Sequence, residues 1–420
     1  MGISEQLWGR NAVLSGNFLV LIITWVLMYS TQPIPDTYAS LYYQSLGATP
    51  FLLSVMFFIG ALATAFVQFP GGYLADKHGR RWLVSTMSFG LALGYIFYIF
   101  APSWHFIVIG MIIQNLSLIY TPALMSMMLD SLEPSKRGTG FNFQSVLMNL
   151  IMIPAPLIAA ALVAINDNYA SPQSDFGMRI AFSIVLVAYT ISAFLRLKLK
   201  ETLPSNGQIN RPQILNAFRE YPKIVKESWQ VWNKVPRSAY YLFLTTVIIN
   251  SLVAACYIFF VVYANEVLKL TASQYAIAMA ISFVSIVAPA LFAGFMMDRS
   301  GRKKYLVLGY FLYIPAMLLF IVSDANLLPV ALFLFFLGNM LRVNSSQVLL
   351  GDLVPRELRG KAVGFLQFFL YITQAFIYLI GGFLYEFISP QLPFLMLAAT
   401  AIPLVILVIL KISEPQVKEV

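Results

Sequence analysis

The stretch GGYLADKHGRRW, Gly71–Trp82, follows a long apolar run and decides how the whole chain is read. Five of the six residues from Asp76 to Arg81 are ionisable, with only Gly79 between them, and the sequence then turns apolar again. A second version, GFMMDRSGRKK, occupies Gly294–Lys304. Short charged clusters between long apolar runs describe brief returns to water, so the solvent around the rest of the chain has to be settled first.

Composition settles it. Of 420 residues, 59% are hydrophobic and 11% are charged, whereas soluble domains carry about 25% charged residues. A soluble globule of this make-up would expose large apolar patches, so the solvent is lipid. A single cysteine, Cys256, rules out a disulfide framework and a cysteine-based metal cluster. It reads as a small apolar packing residue. The formal charge of +9 invites a nucleic-acid reading, but no motif supports one and the basic residues follow another pattern.

Spanning hydrocarbon takes roughly 20 mostly apolar residues per helix. Such runs lie near residues 14–42, 49–75, 82–101, 105–131, 141–165 and 177–197, then near 238–265, 272–297, 305–323, 326–353, 362–387 and 391–412. The expected fold is therefore all-α and membrane-embedded, with twelve transmembrane helices in two halves, 1–197 and 238–420. The start, MGISEQLWGR, lacks the basic region and cleavage site of a signal peptide, so the first helix is expected to stay in place. A superficial myristoylation pattern there is redundant beside twelve helices. Residues 198–237 are expected to form a cytoplasmic linker, turn-rich in ETLPSNGQINRPQ and then amphipathic in ILNAFREYPKIVKESWQVW. Plain tethering is the simpler account of it.

Orientation follows from lysine and arginine. With both termini cytoplasmic, every one of the 27 basic residues except Arg179, Lys269 and Arg342 is assigned to the cytoplasmic side. The reverse orientation places that excess outside, against the positive-inside bias. The charge is topology, with attraction to anionic headgroups as its by-product.

The halves also match each other in register. Adding 222 takes Asp76 to Asp298, Gly79 to Gly301, Arg80 to Arg302, Asp130 to Asp352, Arg137 to Arg359 and Gly138 to Gly360. The same offset sets IAAAL (Ile158–Leu162) against IGGFL (Ile380–Leu384). Parallel repeats of six helices are an architecture of secondary transporters.

Here a family resemblance enters. GYLADKHGRR, Gly72–Arg81, resembles the signature between helices two and three of the major facilitator superfamily, and Gly294–Lys303 resembles its second copy. DSLEPSKRG (Asp130–Gly138) and DLVPRELRG (Asp352–Gly360) are similar to the loops after that family's helices four and ten. The resemblance covers essentially the whole chain and implies transport by alternating access, commonly with a proton as the coupling ion. It implies that Asp76 contacts the start of helix eleven near Gly360–Gly364, that Asp298 does the same for helix five, and that Arg80 joins a charge network with Asp130. Physically, a carboxylate at the end of its own helix opposes that helix's dipole. It is favourable only when aimed at another helix N-terminus or a cation. Gly79 permits the positive φ of a tight turn. Gly72, Asp76, Gly79, Arg80, Asp130 and Arg137, with Gly294, Asp298, Gly301, Arg302, Asp352 and Arg359, thus form two candidate cytoplasmic latches. Simple topogenic charge explains the cations but not an aspartate repeated in register.

Ionisable residues within the bilayer are functional candidates by default. Arg342, in FLGNMLRVNSSQVLLGD, precedes Asp352 by ten residues, roughly 15 Å along a helix and so near the midplane. Asn339 and Ser346 share its face. A permanent guanidinium there suits a carboxylate- or phosphate-bearing solute; neutralisation by a protein carboxylate or by helix-end carbonyls is the competing account. Asp36 follows Pro33 and Pro35, which remove backbone donors and should bend or unwind the first helix. It is a candidate proton or cation acceptor, or it simply reaches outer water. Asn17, Tyr29, Gln32, Gln114, Asn115, Tyr120, Gln144, Asn149, Asn250, Tyr257, Gln367 and Gln374 form a candidate cavity lining, each equally readable as interhelical glue.

Nothing resembles an ATP-binding P-loop or a catalytic cluster, so the chain reads as no enzyme, without cofactor or metal, driven by gradients. The helix-five signature of family exporters is degenerate: APLIAAAL keeps Pro156 but replaces glycines by alanines. The resemblance is closest to small-solute and drug efflux members of the family, with proton-linked uptake or exchange of an organic anion at Arg342 as the runner-up and a lipid flippase or scramblase, or a transport-dead receptor, as further alternatives. The expected setting is the cell membrane and the expected state a monomer, with a small-molecule substrate, a proton and lipid as its partners.

Overall fold

The computed structural model describes residues 15–132, 137–169, 175–202 and 235–414. Most of the expected linker, including its amphipathic helix, lies outside these. Among the described residues every regular element is helical.

Eleven helices are long and apolar enough to cross a membrane. They are α1 (Gly16–Asp36), α2 (Pro50–His78), α3 (Arg80–Ile99), α4 (Trp104–Asp130), α6 (Phe176–Arg196), α7 (Arg237–Glu266), α8 (Ala272–Ser300), α9 (Lys303–Ile321), α10 (Leu328–Leu353), α11 (Arg356–Phe383) and α12 (Leu392–Lys411). The twelfth, α5, comes in two pieces, Arg137–Met152 and Ala155–Tyr169. The continuous helix expected over 141–165 is interrupted because Pro154 has no N–H for the ladder and its ring crowds the carbonyl one turn back. The second piece restarts on the Pro154 carbonyl, which accepts from the Ile158 N–H at 3.0 Å.

The first helix is likewise uneven. The α-helical run Gly16–Thr31 gives way to a single turn, Pro33–Asp36, and then to Ala39–Ser45. In α4, a tight turn over Leu118–Tyr120 precedes Pro122. Other ends are well terminated. Thr271 and Gln274 form a reciprocal capping box at the start of α8. Before α10, the Asp324 carboxylate accepts from the backbone N–H groups of Asn326 and Leu327.

The described residues up to Tyr42 and from Phe66 to Thr202 form one compact unit. Tyr43–Ala65 and those from Val235 onward form the second. In the first, α6 packs on α1 and α3, and α3 on α4. In the second, α12 packs on α7 and α9, and α9 on α10, the same pairings one repeat later. Aromatic clusters fill both: Tyr95, Tyr98, Phe182 and Tyr189 in one, Phe260, Tyr263, Phe320 and Phe394 in the other. Side chains such as Leu93, Phe194 and Leu410 stay exposed, as lipid-facing positions do.

The backbone carries the repeat too. Gly47 has φ 93° and Lys269, 222 positions later, φ 56°; Gly79 has φ 86° and Gly301, at the same offset, φ 92°. Lys269 is the described non-glycine residue with positive φ, and its partner position explains it.

Candidate functional site

The charged stretches that opened the reading occupy the turn from α2 to α3 and the turn from α8 to α9. Gly79 stands at φ 86°, ψ 153° and Gly301 at φ 92°, ψ 151°. That region is open essentially to glycine alone. Each turn then presents an arginine to a carboxylate at the end of the following helix pair: Arg80 to Asp130, and Arg302 to Asp352.

A second pair of carboxylates was not singled out from the sequence. Glu201, just after α6, accepts from the backbone N–H groups of Arg80 and Arg81 at 3.1 and 2.9 Å, capping α3. Glu414, just after α12, accepts from the Lys303 N–H and so caps α9. Carboxylates at helix N-termini satisfy orphan donors and meet the positive end of the dipole. The signal was present as LKLKE (Leu197–Glu201) against LKISE (Leu410–Glu414), but it falls at a different offset from the rest of the repeat. Gly72 and Asp76 lie in α2, Gly294 and Asp298 in α8, Arg137 at the start of α5 and Arg359 in α11. The side chains of Asp76, Asp298, Arg137 and Arg359 lie outside the described residues.

Arg342 is 1% exposed. Its Nε donates to the Tyr313 hydroxyl at 3.0 Å, and its Nη2 to Asn250 Oδ1 and Asn339 Oδ1 at 2.9 and 2.8 Å. Asn250 donates its own amide to the Thr246 carbonyl, which fixes its oxygen toward the guanidinium. Nη1 has no partner among the described residues, and no described carboxylate reaches this group. The helix crossing that holds it is unusually close. A Cβ on Gly309 of α9 would lie 2.7 Å from both the Arg342 nitrogen and the Gly338 carbonyl oxygen.

In the first unit, Asp36 remains solvent-accessible although protein atoms surround it, and Gln32 hydrogen-bonds its carboxylate. Gln32 in turn accepts from the Tyr189 hydroxyl at 2.7 Å. Asn115 donates within its own helix, to Met111. Tyr257 is exposed and meets Phe260 edge-on. Neither belongs to the Arg342 cluster, which draws Asn250 and Asn339 together and adds Tyr313. Gln114 ties α4 to α3 through Tyr98 and Leu91, and Asn17 brackets Lys200 through two 2.7 Å bonds. Cys256 is buried against the Pro393 carbonyl.

Arg196, counted in the sequence reading among the topological charges, is 0% exposed inside the first unit. Its Nε donates to Thr24 Oγ1 at 3.3 Å, and Nη1 donates to Ser88 Oγ at 2.9 Å and the Tyr120 hydroxyl at 3.3 Å. Because Cβ tilts toward a helix N-terminus, an arginine in the last turn of α6 points back into the bundle, not out of it.

A family profile for the Major Facilitator Superfamily matches residues 13–264 and 243–420, and the chain belongs to that family of membrane transporters of small solutes. No curated protein matches the sequence. Among solved structures, the xylose transporter XylE from E. coli in a partially occluded inward-open conformation aligns at TM-score 0.72 and 12% identity, over 96% of this chain and 99% of that one. The nucleoside transporter NupG aligns at TM-score 0.67 and 16% identity, over 94% of this chain and 98% of that one. A peptide transporter POT in complex with sulfate aligns at TM-score 0.69 and 14% identity, over 94% and 93%. These likenesses establish the twelve-helix fold.

Proposed function

We propose that the protein is a secondary active transporter of a small organic anion, with Arg342 holding the anionic group and Asp36 carrying a coupling proton. The observation that carries the reading is the state of Arg342: buried, oriented by three neutral oxygens, and lacking a carboxylate among the described residues. Desolvating a guanidinium is costly unless an opposite charge joins it. Neutral acceptors orient the fork but leave the charge to be met by something else. That a peptide transporter of the same fold was crystallised with sulfate is in keeping with an oxyanion here.

Asp36 suits the coupling role because it is accessible and linked through Gln32 to Tyr189 within the bundle. In the cytoplasmic turns, the Arg80–Asp130 and Arg302–Asp352 pairs act as the latches together with Asp76 and Asp298. Each of these pairs lies within one unit and holds the turn that carries Asp76 or Asp298. The chain sits in the cell membrane with both termini cytoplasmic.

The test is uptake into proteoliposomes of carboxylate and phosphate solutes under an imposed pH gradient. Arg342→Gln is expected to lose binding and flux together. Asp36→Asn is expected to lose accumulation against a gradient while keeping exchange of the same solute. Normal flux of every anion by Arg342→Gln removes the assignment, and normal transport by Asp76→Ala, Asp298→Ala removes the latches.

A further inference from the structure

The first unit buries a cation that the Arg342 reading does not use. Two of the three neutral oxygens around Arg196 are set as acceptors in advance. The Thr24 hydroxyl donates its proton to the Leu21 carbonyl at 3.0 Å and the Ser88 hydroxyl donates to Val84 at 2.6 Å, so the lone pairs of both face the guanidinium. Tyr120 adds its hydroxyl and its ring, whose centroid is 5.5 Å from the guanidinium carbon. Nη2 is buried and has no partner among the described residues. None of the described ion pairs involves Arg196.

The repeat sharpens this. Tyr120 and Arg342 are 222 positions apart, so Tyr120 fills in the first half the place Arg342 fills in the second. The first half has a hydroxyl there and brings its cation in from α6, against that hydroxyl. Both halves therefore place a charge-unmatched guanidinium at the same level of the repeat, each with one nitrogen left over among the described residues, by different routes. A purely structural clamp explains the three hydrogen bonds. It does not explain a charged group where an uncharged donor would make them without the desolvation cost.

We propose that Arg196 is a second anion site, taking a carboxylate or phosphate oxygen on Nη2. Tyr29, 39% exposed and within electrostatic reach of Tyr120 and Arg196, is the side by which the anion enters. A charge-assisted bond from a buried guanidinium is stronger than a neutral one, so binding there should be measurable for a small probe. The site lies wholly in the first unit and stands independently of Arg342.

The experiment is calorimetric titration of the purified full chain with inorganic phosphate, and separately with acetate, at fixed ionic strength. Wild type is expected to bind two equivalents, Arg196→Gln one, Arg342→Gln one, and the double variant none. Arg196→Lys keeps the charge but loses the fork, and should retain two equivalents with one site weakened. Tyr120→Phe, which leaves the guanidinium in place and removes one neutral acceptor, should alter the affinity of one site and leave the other unchanged. Thermal melting of each variant in the absence of anion separates loss of fold from loss of binding. If Arg196→Gln melts normally and keeps both equivalents, or if wild type binds one equivalent that only Arg342→Gln removes, Arg196 is a clamp and the proposal falls. No binding by wild type removes it as well. Loss of the Arg342 equivalent alone bears on the transport reading without touching this one.

Discussion

At the scale of the residue, the two glycines in the charged turns carry a sharp expectation. Gly79 and Gly301 hold a backbone conformation that L side chains resist, at a cost of order 1–3 kcal/mol when forced. Gly79→Ala should lower the melting temperature by the equivalent of about 1–3 kcal/mol. Ser131→Ala, at the end of α4, serves as the control: it loses only a local bond to Met127. An unchanged melt for Gly79→Ala would mean the turn has another conformation. Sequence reading reached these glycines because a special backbone leaves a visible residue. It also reached Arg342, since an arginine amid apolar residues stands out. It counted Arg196, at the end of the span read over 177–197, among the topological charges because the letters do not show which way its side chain points, and the hydroxyls of Thr24 and Ser88 that receive it are silent in an apolar helix.

At the scale of the element, Arg342 depends on how closely α9 approaches α10. The Cβ of an alanine at 309 meets backbone atoms at 2.7 Å, and backbone does not yield as a side chain does. Gly309→Ala should therefore part the two helices, cost about 1–3 kcal/mol, and weaken anion binding at Arg342 more than at any other site. Titration and melting of the same sample check both halves of this. A helix end gives a pH-dependent expectation. Backbone N–H groups of Leu327 and Asn326 hold the exposed Asp324 carboxyl below its ordinary value of 3.8. A lowered native pKa means stability that is present above the unfolded value and lost as pH falls through the native one. Asp324→Ala should thus lower the melt at neutral pH, and its difference from wild type should shrink as pH falls past 3.8 and vanish once pH is below the lowered native value. A difference that persists there would assign the effect to something other than the carboxylate. Helix existence was legible from apolar length. The break in α5 was not, because Pro154 was read as lying within one continuous span, whereas the prolines of the first helix sit beside a charged residue that draws attention to them.

At the scale of the whole molecule, the lipid solvent and the 222-residue repeat were both open to sequence reading: one from composition, the other because gap-free matches fall in the turns. What stayed hidden was the use each half makes of the same position, since Tyr120 and Arg342 share a place but not a chemistry. Orientation is the property left to argue. The basic turns should face the cytoplasm because moving their excess of lysine and arginine across the bilayer during insertion is disfavoured. Cys256 is the one cysteine and is buried against Pro393, so a membrane-impermeant maleimide should leave the folded wild type unlabelled. A single new cysteine then reports its own side. Asn326 is exposed between α9 and α10, and Lys304 is exposed at the start of α9. In intact cells Asn326→Cys should label at once, whereas Lys304→Cys should label only after the membrane is opened. The opposite pattern would turn the molecule over and move the charged turns, with their arginine–aspartate pairs, to the outer face. Asp36 would then lie toward the cytoplasmic half, and a proton entering from outside would no longer meet it first.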